Sequence, residues 1–375
     1  MRIAMIGQKG IRTGARGGGV EKHVEEIGKR LVHLGHHDVF VYARRKYMTG
    51  APSIVRGMHI ISIPTIYRKN LEAIVHTFLS SVHALFGSYD IIHYHGVGPS
   101  TLAWIPRLFL RRTKVVVTFH SQDRFHKKWS IFARWYLYLG EWTAVHIPHA
   151  CIAVSHVLQV FCRERFGREV VYIPNGATLQ SVRSSEHLAV FGLEPQAYIL
   201  NVGRIVGHKG LQYLIEAHAR LSDRGEQVPT LVIVGAPSFS DRYYQALKQR
   251  TAGNPHVIFT GHQDGDVLTQ LFAHAKLYIH PSESEGLPLV ILEAMSFGLP
   301  VLVSDIPENL EAMHHAGFSF KNKDVDDLTE KLSYLLSHTN ERHAARSRSR
   351  EVVRRFFDWD AIAERTEEVY RTIRH

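Results

Sequence analysis

The sequence contains only two cysteines among its 375 residues, Cys151 and Cys162. A disulfide-rich fold is therefore excluded, and a zinc site cannot be built from cysteine alone. No apolar run reaches the ~18 uninterrupted residues of a membrane-spanning helix, because His, Ser, Gly and Tyr break the most apolar stretch, 71–92. The apolar run at the N-terminus is too short for a signal peptide. We therefore expect a cytoplasmic protein, either soluble or peripheral on the inner face of the membrane.

Charge is distributed unevenly along the chain. The formal net charge is +10, with residues 1–190 contributing +14 and residues 191–375 contributing −4. This asymmetry indicates different partners for the two halves, and nucleic acid, an anionic membrane or an anionic substrate each fits the basic half. The sequence lacks helix-turn-helix, zinc-finger and single-strand stacking signatures, so we expect no specific nucleic-acid partner.

Strand, loop and helix patterns alternate in the first half, which is typical of a parallel, doubly wound sheet. A glycine-rich loop spans residues 7–19, and apolar residues then recur at helical spacing from Val20 to Leu34, with Gly35 at the expected helix end. The predicted strands are Arg2–Ile6, Val39–Tyr42, Ile91–Tyr94, Val115–Phe119, Ile152–Val154 and Val170–Ile173.

The pattern breaks at Pro174-Asn175-Gly176, and the mixed polar segment 177–196 is interpreted as a linker. Alternation then resumes, with predicted strands at Tyr198–Val202, Thr230–Val234, Val257–Thr260, Leu277–His280 and Val301–Ser304. The sequence thus predicts an α/β protein of two tandem Rossmann-like domains, at residues 1–190 and 191–356. Parallel sheets bind ligands at the carboxyl ends of their strands, so we expect the active site in the cleft between the domains.

The segment 281–305 contains the most informative chemistry. A helix is predicted over Pro288–Phe297 and is apolar nearly all round, so it should be buried. Glu293 lies within it and needs a donor, because burying an unpaired carboxylate is costly. The hydrogen-bond donor to this carboxylate could be a pair of sugar hydroxyls or a neighbouring Arg or Lys, and both alternatives remain open. Glu285 lies in the preceding loop. It either contacts a ligand or merely stabilises the helix by ~0.5 kcal/mol through its interaction with the helix dipole.

A second segment, 201–210, forms a loop between a strand and a helix. It contains Arg204 and Lys209, whose charges would suit a diphosphate group together with the backbone N–H groups of the helix start. Basic loop residues are also commonly just solvated, and that alternative remains open.

Together these segments resemble the family 4 glycosyltransferases, which have the two-domain GT-B fold. In the second half the resemblance rests on Gly203-Arg204, Lys209-Gly210, Gly235, Phe259-Thr260-Gly261, Glu285-Gly286-Leu287-Pro288 and Glu293-Ala294. In the first half it rests on Gly17-Gly18-Gly19-Val20-Glu21, Thr118-Phe119-His120 and Ile173-Pro174-Asn175-Gly176. The chain departs from the family at Gly207-His208, where members often have Pro-Glu.

The resemblance implies transfer of a sugar from a nucleoside diphosphate donor with retention of configuration, without a metal or other cofactor. Arg204 and Lys209 would neutralise the diphosphate, Glu293 would accept hydrogen bonds from the ribose, and Glu285 would contact the donor sugar. The backbone at Gly261 and His262 would touch the base. The remaining donor-binding residues implied by the matching motifs are Gly203, Gly286 and Leu287.

In the first domain, the resemblance implies that Gly18 and Gly19 allow close approach of the phosphates and that His120 faces the donor sugar. His120 ends an apolar strand, so a capping or core histidine is the alternative. His95 and Asp123 are candidate acceptor contacts. The C-terminal helix, about 357–375, is expected to pack back on the first domain.

Basic and aromatic residues are mixed over 107–138, a composition that suits the headgroup level of an anionic membrane. An ordinary helix with core aromatics and solvated charges is the alternative. We therefore expect a glycosyltransferase acting on a lipid-linked or polysaccharide acceptor in cell-surface glycan synthesis. A sugar-nucleotide epimerase or phosphorylase of the same fold, and a basic nucleic-acid-binding protein, are the competing hypotheses.

Overall fold

The computed structural model describes residues 1–11, 17–68, 71–122, 131–238 and 240–374. These residues divide into two compact units. The first comprises Met1–Gly176 with Trp359–His375, and the second comprises Ala177–Asp358.

An eight-stranded sheet forms the centre of the first unit, in the order β3-β4-β2-β1-β5-β6-β7-β8. All neighbouring strands pair in parallel except β3 and β4, which are antiparallel. The strands β1 to β8 are Arg2–Ile6, Asp38–Arg44, Ile54–Val55, Met58–Ile63, Ile91–His95, Lys114–Phe119, Ala150–Ala153 and Val171–Tyr172.

Helices connect these strands. In chain order, α1 to α6 are Gly19–Gly35, Glu72–Ala84, Val97–Ser100, Trp104–Phe109, Ile131–His146 and His156–Phe166. Helix α1 begins after Gly18, whose N–H donates to Oε2 of Glu21 at 2.7 Å, and this carboxylate satisfies an amide that has no partner within the helix. The helix continues through Gly35, and the left-handed turn falls on His36 (φ 46°), one residue later than predicted.

A six-stranded, all-parallel sheet forms the centre of the second unit, in the order β11-β10-β9-β12-β13-β14. The strands β9 to β14 are Tyr198–Val202, Thr230–Val234, Val257–Gly261, Leu277–His280, Val301–Ser304 and Phe318–Phe320. Their apolar side chains form a buried core with α7 (Leu211–Asp223) and α12 (Val325–Ser337), in which Ile199, Leu231 and Leu277 are fully buried.

The other helices of the second unit lie between or after these strands. Helices α8 to α11 are Asp241–Arg250, Gly265–His274, Leu289–Ser296 and Pro307–Met313, and α13 is Thr339–Phe356. The last helix, α14 (Trp359–Arg374), belongs to the first unit, where Tyr370 Oη lies 2.6 Å from Nδ1 of His93.

The division between the units follows Gly176 rather than residue 190. The segment interpreted as a linker is held by the second unit: Gln180 N–H donates to Ser296 O at 3.1 Å, and His187 N–H donates to Oε1 of Gln270 at 2.8 Å. These hydrogen bonds from backbone N–H groups, which composition does not reveal, attach the segment to the second unit and account for the difference of fourteen residues.

The predicted α/β class with two Rossmann-like domains is confirmed by the two parallel sheets. Five predicted strands, among them Arg2–Ile6 and Leu277–His280, have the predicted bounds. None of the helices among the described residues is long and apolar enough to span a bilayer.

Candidate functional site

The loops that follow β9 and β10 come unusually close together at the carboxyl edge of the second sheet. Gly235 has φ +146°, and a Cβ atom built there would lie 1.8 Å from the carbonyl oxygen of Gly203. A Cβ on Gly210, which has φ +67°, would lie 1.9 Å from the carbonyl oxygen of Pro281. Glycine at position 235 therefore allows the loop after β10 to approach the 203–210 loop, and glycine at position 210 allows the 203–210 loop to lie against the 281–285 loop.

This close approach joins two residues that the sequence analysis treated separately. The Lys209 ammonium forms an ion pair with Oε1 of Glu285, and both side chains are largely buried. Nε2 of His280, the last residue of β12, lies 2.7 Å from the same oxygen. Because a carboxylate only accepts, His280 donates through Nε2, and its Nδ1 can accept from the Tyr278 hydroxyl at 3.1 Å.

The electrostatics of this cluster keep Glu285 ionised. Burial would raise the pKa of Glu285, but the charge of Lys209 and the hydrogen bond from His280 hold that pKa well below its usual range. Burial lowers the pKa of His280, against the opposing influence of Glu285. The cluster therefore contains an ionised carboxylate, a lysine that forms an ion pair with it and an imidazole that donates a hydrogen bond to it. It lies at the carboxyl edge of the sheet, where parallel sheets bind ligands.

Arg204 lies in the same loop as Lys209, and its side chain is exposed. It forms no ion pair with any of the described residues. A diphosphate bound at this loop would therefore meet one guanidinium that is available and one ammonium already held by Glu285.

The prediction of a buried Glu293 is wrong. In α10, Leu289, Ile291, Leu292, Ala294, Met295 and Ser296 are buried, whereas Val290, Glu293 and the following residue Phe297 remain partly exposed. The spacing of these three places them on one stripe of the helix surface, so the helix is not buried all round. Its bounds also differ by one residue at each end: Pro288 is the extended residue before the helix, and Phe297 follows it.

The remaining candidates of the second unit surround this edge. Gly261 ends β11 with φ +73°, and the exposed His262 has its Nε2 3.9 Å from Oδ2 of Asp264. Gly286 and Leu287 are buried between Glu285 and α10. None of the described contacts assigns these four positions a ligand, and their roles stay predictions.

Four buried histidines lie together in the first unit. His93 and His95 are on β5, His120 directly follows β6, and His23 is on α1. Nδ1 of His95 lies 3.3 Å from Nε2 of His120, and the His23 ring packs edge-on against the His120 ring at a centroid distance of 4.7 Å. The candidate sugar contact His120 and the candidate acceptor contact His95 are thus direct neighbours.

Each of these rings has a partner that fixes its orientation. Nδ1 of His23 lies 2.9 Å from Oδ1 of Asn175, in the Pro174-Asn175-Gly176 motif. His93 contacts the Tyr370 hydroxyl at 2.6 Å through Nδ1 and the Thr118 hydroxyl at 2.7 Å through Nε2. Nε2 of His95 is buried without a hydrogen-bond partner among the described residues.

Burial keeps this cluster uncharged. It lowers the pKa of His23 to about 4 and that of His93 to about 3, and it lowers the pKa values of His95 and His120 well below the usual range. At neutral pH all four are imidazoles rather than imidazolium ions. Such rings exchange hydrogen bonds with hydroxyl groups in either direction.

The histidine cluster also has metal-ligating chemistry. Among the described residues, His23, His95 and His120 place one ring nitrogen each within 4.8 Å of one another. Neutral imidazoles are common metal ligands, but the His95–His120 separation equally fits a hydrogen bond. The expectation of a metal-independent site therefore stays a prediction.

The glycine pair at the start of α1 has ordinary geometry. Gly18 has φ −112° and Gly19 is the first helical residue, so neither is required by backbone conformation. A Cβ on Gly18 would lie 3.0 Å from Oε2 of Glu21. The acceptor candidate Asp123 lies outside the described residues.

Three residues of these clusters were not predicted as functional: His280, Tyr278 and His23. Two of them have a weak sequence signal, since His280 ends an apolar strand and His23 falls on the buried face of an amphipathic helix. Glu308, at the start of α11, is a fourth: burial, together with nearby Glu285, raises its pKa.

Comparison with known proteins agrees with this architecture. The profile of "Glycosyltransferase Family 4" matches residues 17–181, and that of "Glycosyl transferases group 1" matches residues 185–352. The chain belongs to glycosyltransferase family 4. It is therefore a glycosyltransferase, and the resemblance predicted from the sequence motifs is confirmed.

Relatives of this family-4 enzyme span nearly all of it. It is 24% identical over 368 residues to the phosphatidylinositol N-acetylglucosaminyltransferase gpi3 subunit of Schizosaccharomyces pombe. The matched region covers 95% of this chain and 78% of that protein. It is 25% identical over 372 residues to the phosphatidyl-myo-inositol mannosyltransferase of Mycobacterium leprae, covering 95% and 93% respectively.

A solved structure shares the fold. The crystal structure of Anabaena HepE in complex with UDP-glucose matches this chain with a TM-score of 0.79 at 21% identity, covering 99% of this chain and 100% of HepE. The predicted GT-B fold is thus confirmed.

Proposed function

We propose that this glycosyltransferase moves a sugar from a nucleoside diphosphate donor to a lipid-linked or polysaccharide acceptor, with retention of configuration, in cell-surface glycan synthesis. The observation that supports this most is the Lys209–Glu285 pair, in a loop that also contains exposed Arg204. These residues supply two cations and one ionised carboxylate at the carboxyl edge of a parallel sheet, where such sheets bind ligands. A donor sugar diphosphate needs both kinds of group, cations for its phosphates and an acceptor oxygen for its hydroxyls.

In the proposed reaction, the bond between the anomeric carbon and the diphosphate oxygen breaks. Arg204 and Lys209 stabilise the negative charge that develops on the leaving diphosphate, so that no metal ion or other cofactor is needed. The acceptor hydroxyl attacks from the face that the diphosphate leaves, and its proton passes to a diphosphate oxygen. The products are the glycoside and the nucleoside diphosphate.

Glu285 serves as a hydrogen-bond acceptor for the donor sugar in this proposal. Its Oε1 is engaged by Lys209 and His280, so Oε2 is the oxygen that would meet a sugar hydroxyl. An ion-paired carboxylate is a poor candidate for a covalent double displacement, which also needs a second acid/base group. We propose that His120, uncharged at neutral pH, contacts the sugar and that Glu293 binds the ribose.

The acceptor class is proposed from the relatives. Two full-length relatives have names that specify phosphatidylinositol as the molecule glycosylated, and HepE was crystallised with UDP-glucose. A lipid-linked acceptor would place this reaction at a membrane, with an anionic membrane surface as a partner.

Turnover of donors without added acceptor tests the proposal. The enzyme is incubated with α-linked UDP-, GDP- and dTDP-sugars, with and without a chelator, and the released diphosphate and the anomer first formed are measured by NMR. We expect chelator-resistant release from one donor class and an α product. A β product first formed would contradict retention, and release abolished by the chelator would contradict metal independence.

A further inference from the structure

Three buried histidines of the first unit surround a point that is close enough to each of them for a metal ion. His23 is on α1, His95 ends β5 and His120 follows β6, and one ring nitrogen of each lies within 4.8 Å of the other two. Three points this close have a centre no farther than about 2.8 Å from each of them, whereas zinc–imidazole bonds are about 2.0–2.1 Å long. Shifts of less than about 1 Å in each ring would therefore bring all three nitrogens into bonding range.

One pair of these rings already has the spacing of two metal ligands. Nδ1 of His95 lies 3.3 Å from Nε2 of His120. The bond length and the tetrahedral angle place two nitrogen ligands of one zinc ion about 3.3 Å apart. The same separation is at the long end of the range for a hydrogen bond. A bound ion would thus replace one long hydrogen bond by three coordinate bonds.

His95 is a polar ring that the hydrogen bonds of the first unit do not fully account for. It is 2% exposed, and its Nε2 has no hydrogen-bond partner in the part of the chain that the structure describes. Burying a polar group without a partner destabilises the fold. A metal ion in the cluster would give this buried ring a role that packing alone does not.

His23 is held in an orientation that suits a ligand. Its Nδ1 lies 2.9 Å from the side-chain oxygen of Asn175, which accepts, so Nδ1 is protonated and the lone pair is on Nε2. Histidine ligands generally donate their second N–H to a carbonyl or carboxylate in this way. His93, the fourth ring of the cluster, is not a ligand because Tyr370 and Thr118 occupy its two nitrogens.

The donor set indicates which ion would bind. Among the described residues the group consists of three histidines and no carboxylate. Burial lowers the pKa of all three rings, so no proton has to leave a ligand nitrogen at neutral pH. Nitrogen ligands favour zinc and similar transition metals, whereas Mg²⁺ takes oxygen ligands. Three protein ligands would leave a fourth position of the zinc ion open.

We propose that His23, His95 and His120 bind a Zn²⁺ ion and that the bound ion inhibits sugar transfer. The inhibition rests on the proposed function, in which His120 contacts the donor sugar. A ring nitrogen coordinated to zinc has no lone pair left for a sugar hydroxyl, and the ion occupies the space beside the ring. Transfer itself proceeds without the ion, because the leaving diphosphate is stabilised by Arg204 and Lys209.

Metal titration of the full chain, after removal of all metal with a chelator, tests the site. We expect one tight Zn²⁺ ion per chain by calorimetry. We also expect strong visible absorption when Co²⁺ is added instead, since four-coordinate Co²⁺ absorbs far more strongly than the hydrated ion. Asn175→Ala keeps the three ligands but frees the His23 ring, and it should weaken the tight site by about 10–100-fold. His23→Gln removes a ligand and should weaken it further.

The matched control replaces two adjacent histidines that are exposed on the second unit, His314→Gln with His315→Gln. This variant should bind Zn²⁺ as tightly as the wild type does. Thermal unfolding without metal shows whether each variant folds. The Co²⁺ spectrum of the wild type tests the site without any substitution.

Donor turnover separates this proposal from the proposed function. One equivalent of Zn²⁺ should inhibit the wild type and the control variant alike, and excess chelator should restore both. The absence of a tight site, tight binding that His23→Gln retains, or full turnover with the ion bound would each overturn this proposal and leave the proposed function standing. Tight binding with no turnover even in chelator would support the zinc site and contradict the proposed function.

Discussion

Nε2 of His280 lies 2.7 Å from Oε1 of Glu285. The same oxygen pairs with the Lys209 ammonium, so one carboxylate oxygen joins a strand end, a loop and a helix start. In the proposed reaction, the other oxygen of Glu285 accepts a hydrogen bond from the donor sugar.

Replacing Lys209 by methionine should lower kcat by about 10²–10³-fold, because the developing charge of the diphosphate loses its nearest ammonium. Lys209→Arg should retain part of the activity, since it keeps the charge in a different geometry. Steady-state kinetics with the preferred donor measure the effect. Lys331→Met, at an exposed lysine of the same unit, serves as the control and should leave kcat unchanged. Equal kcat for Lys209→Met and the control would show that the ammonium plays no part in transfer.

Glu285 should make stability depend on pH in the acid range. Its folded pKa lies below the unfolded value of ~4.3, so its contribution is complete above that pH and is lost as the pH falls through the folded pKa. The difference in Tm between wild type and Glu285→Gln should therefore be largest near neutral pH and shrink below about pH 4. Thermal unfolding followed from pH 7 to pH 3 provides the measurement. A difference that grows on acidification would contradict the assigned direction of the shift.

The histidine cluster should destabilise the first unit at mildly acidic pH. The unfolded chain binds protons on histidine below pH ~6.5, whereas burial keeps the folded pKa of His23 at about 4 and of His93 at about 3. The free energy of unfolding is therefore highest above pH ~6.5 and decreases as the pH falls below that value. At pH 5 the loss is about 2 kcal/mol for each of these two residues. His93→Phe should reduce the pH dependence, whereas exposed His343→Phe should not. Denaturant unfolding at pH 7.5, 6 and 5 measures this dependence. If the free energy of unfolding changed with pH by the same amount in both variants, the buried neutral cluster would be refuted.

Gly210 should tolerate no side chain, and nearby Gly207 provides a matched control. Gly210→Ala places a Cβ against the Pro281 carbonyl at φ +67°, whereas Gly207 has no neighbouring atom within 4 Å and no positive φ. We expect Gly210→Ala to lose about 1–3 kcal/mol of stability and to weaken nucleotide binding, because the Lys209 loop must shift. Gly207→Ala should change neither quantity. Chemical unfolding and nucleotide titration of both variants decide this, and equal behaviour would mean that the close loop contact is absent in solution.

Much of the fold could be predicted from the sequence because its signals are local. Buried parallel strands such as Tyr198–Val202 and Val301–Ser304 are short apolar runs bounded by turn residues, and their bounds were predicted correctly. The strands Met58–Ile63 and Phe318–Phe320 were missed. The first mixes polar residues into its run, and the second is only three residues long, so neither has a clear period.

The candidate site was predicted residue by residue but not as contacts. Lys209 and Glu285 were each identified, yet their pairing spans 76 positions and follows from the glycine-permitted loop contact, which no local pattern encodes. Glu293 was placed in a buried environment because its neighbours are apolar. The helix nevertheless leaves one stripe accessible, and Glu293 lies on that stripe with Val290 and Phe297.

A thermal-shift panel of UDP, GDP, dTDP, CMP and ATP tests the donor site most directly. It is run on the wild type, on Arg204→Ala, and on Arg224→Ala, an exposed arginine of the same unit paired with Glu330. A ligand at ~100 times its Kd adds about 2.7 kcal/mol of stability. We expect one nucleoside diphosphate to raise the Tm of the wild type and of the control, and we expect Arg204→Ala to lose this shift. A shift of equal size in Arg204→Ala, or none with any nucleoside diphosphate, would contradict the proposed donor site.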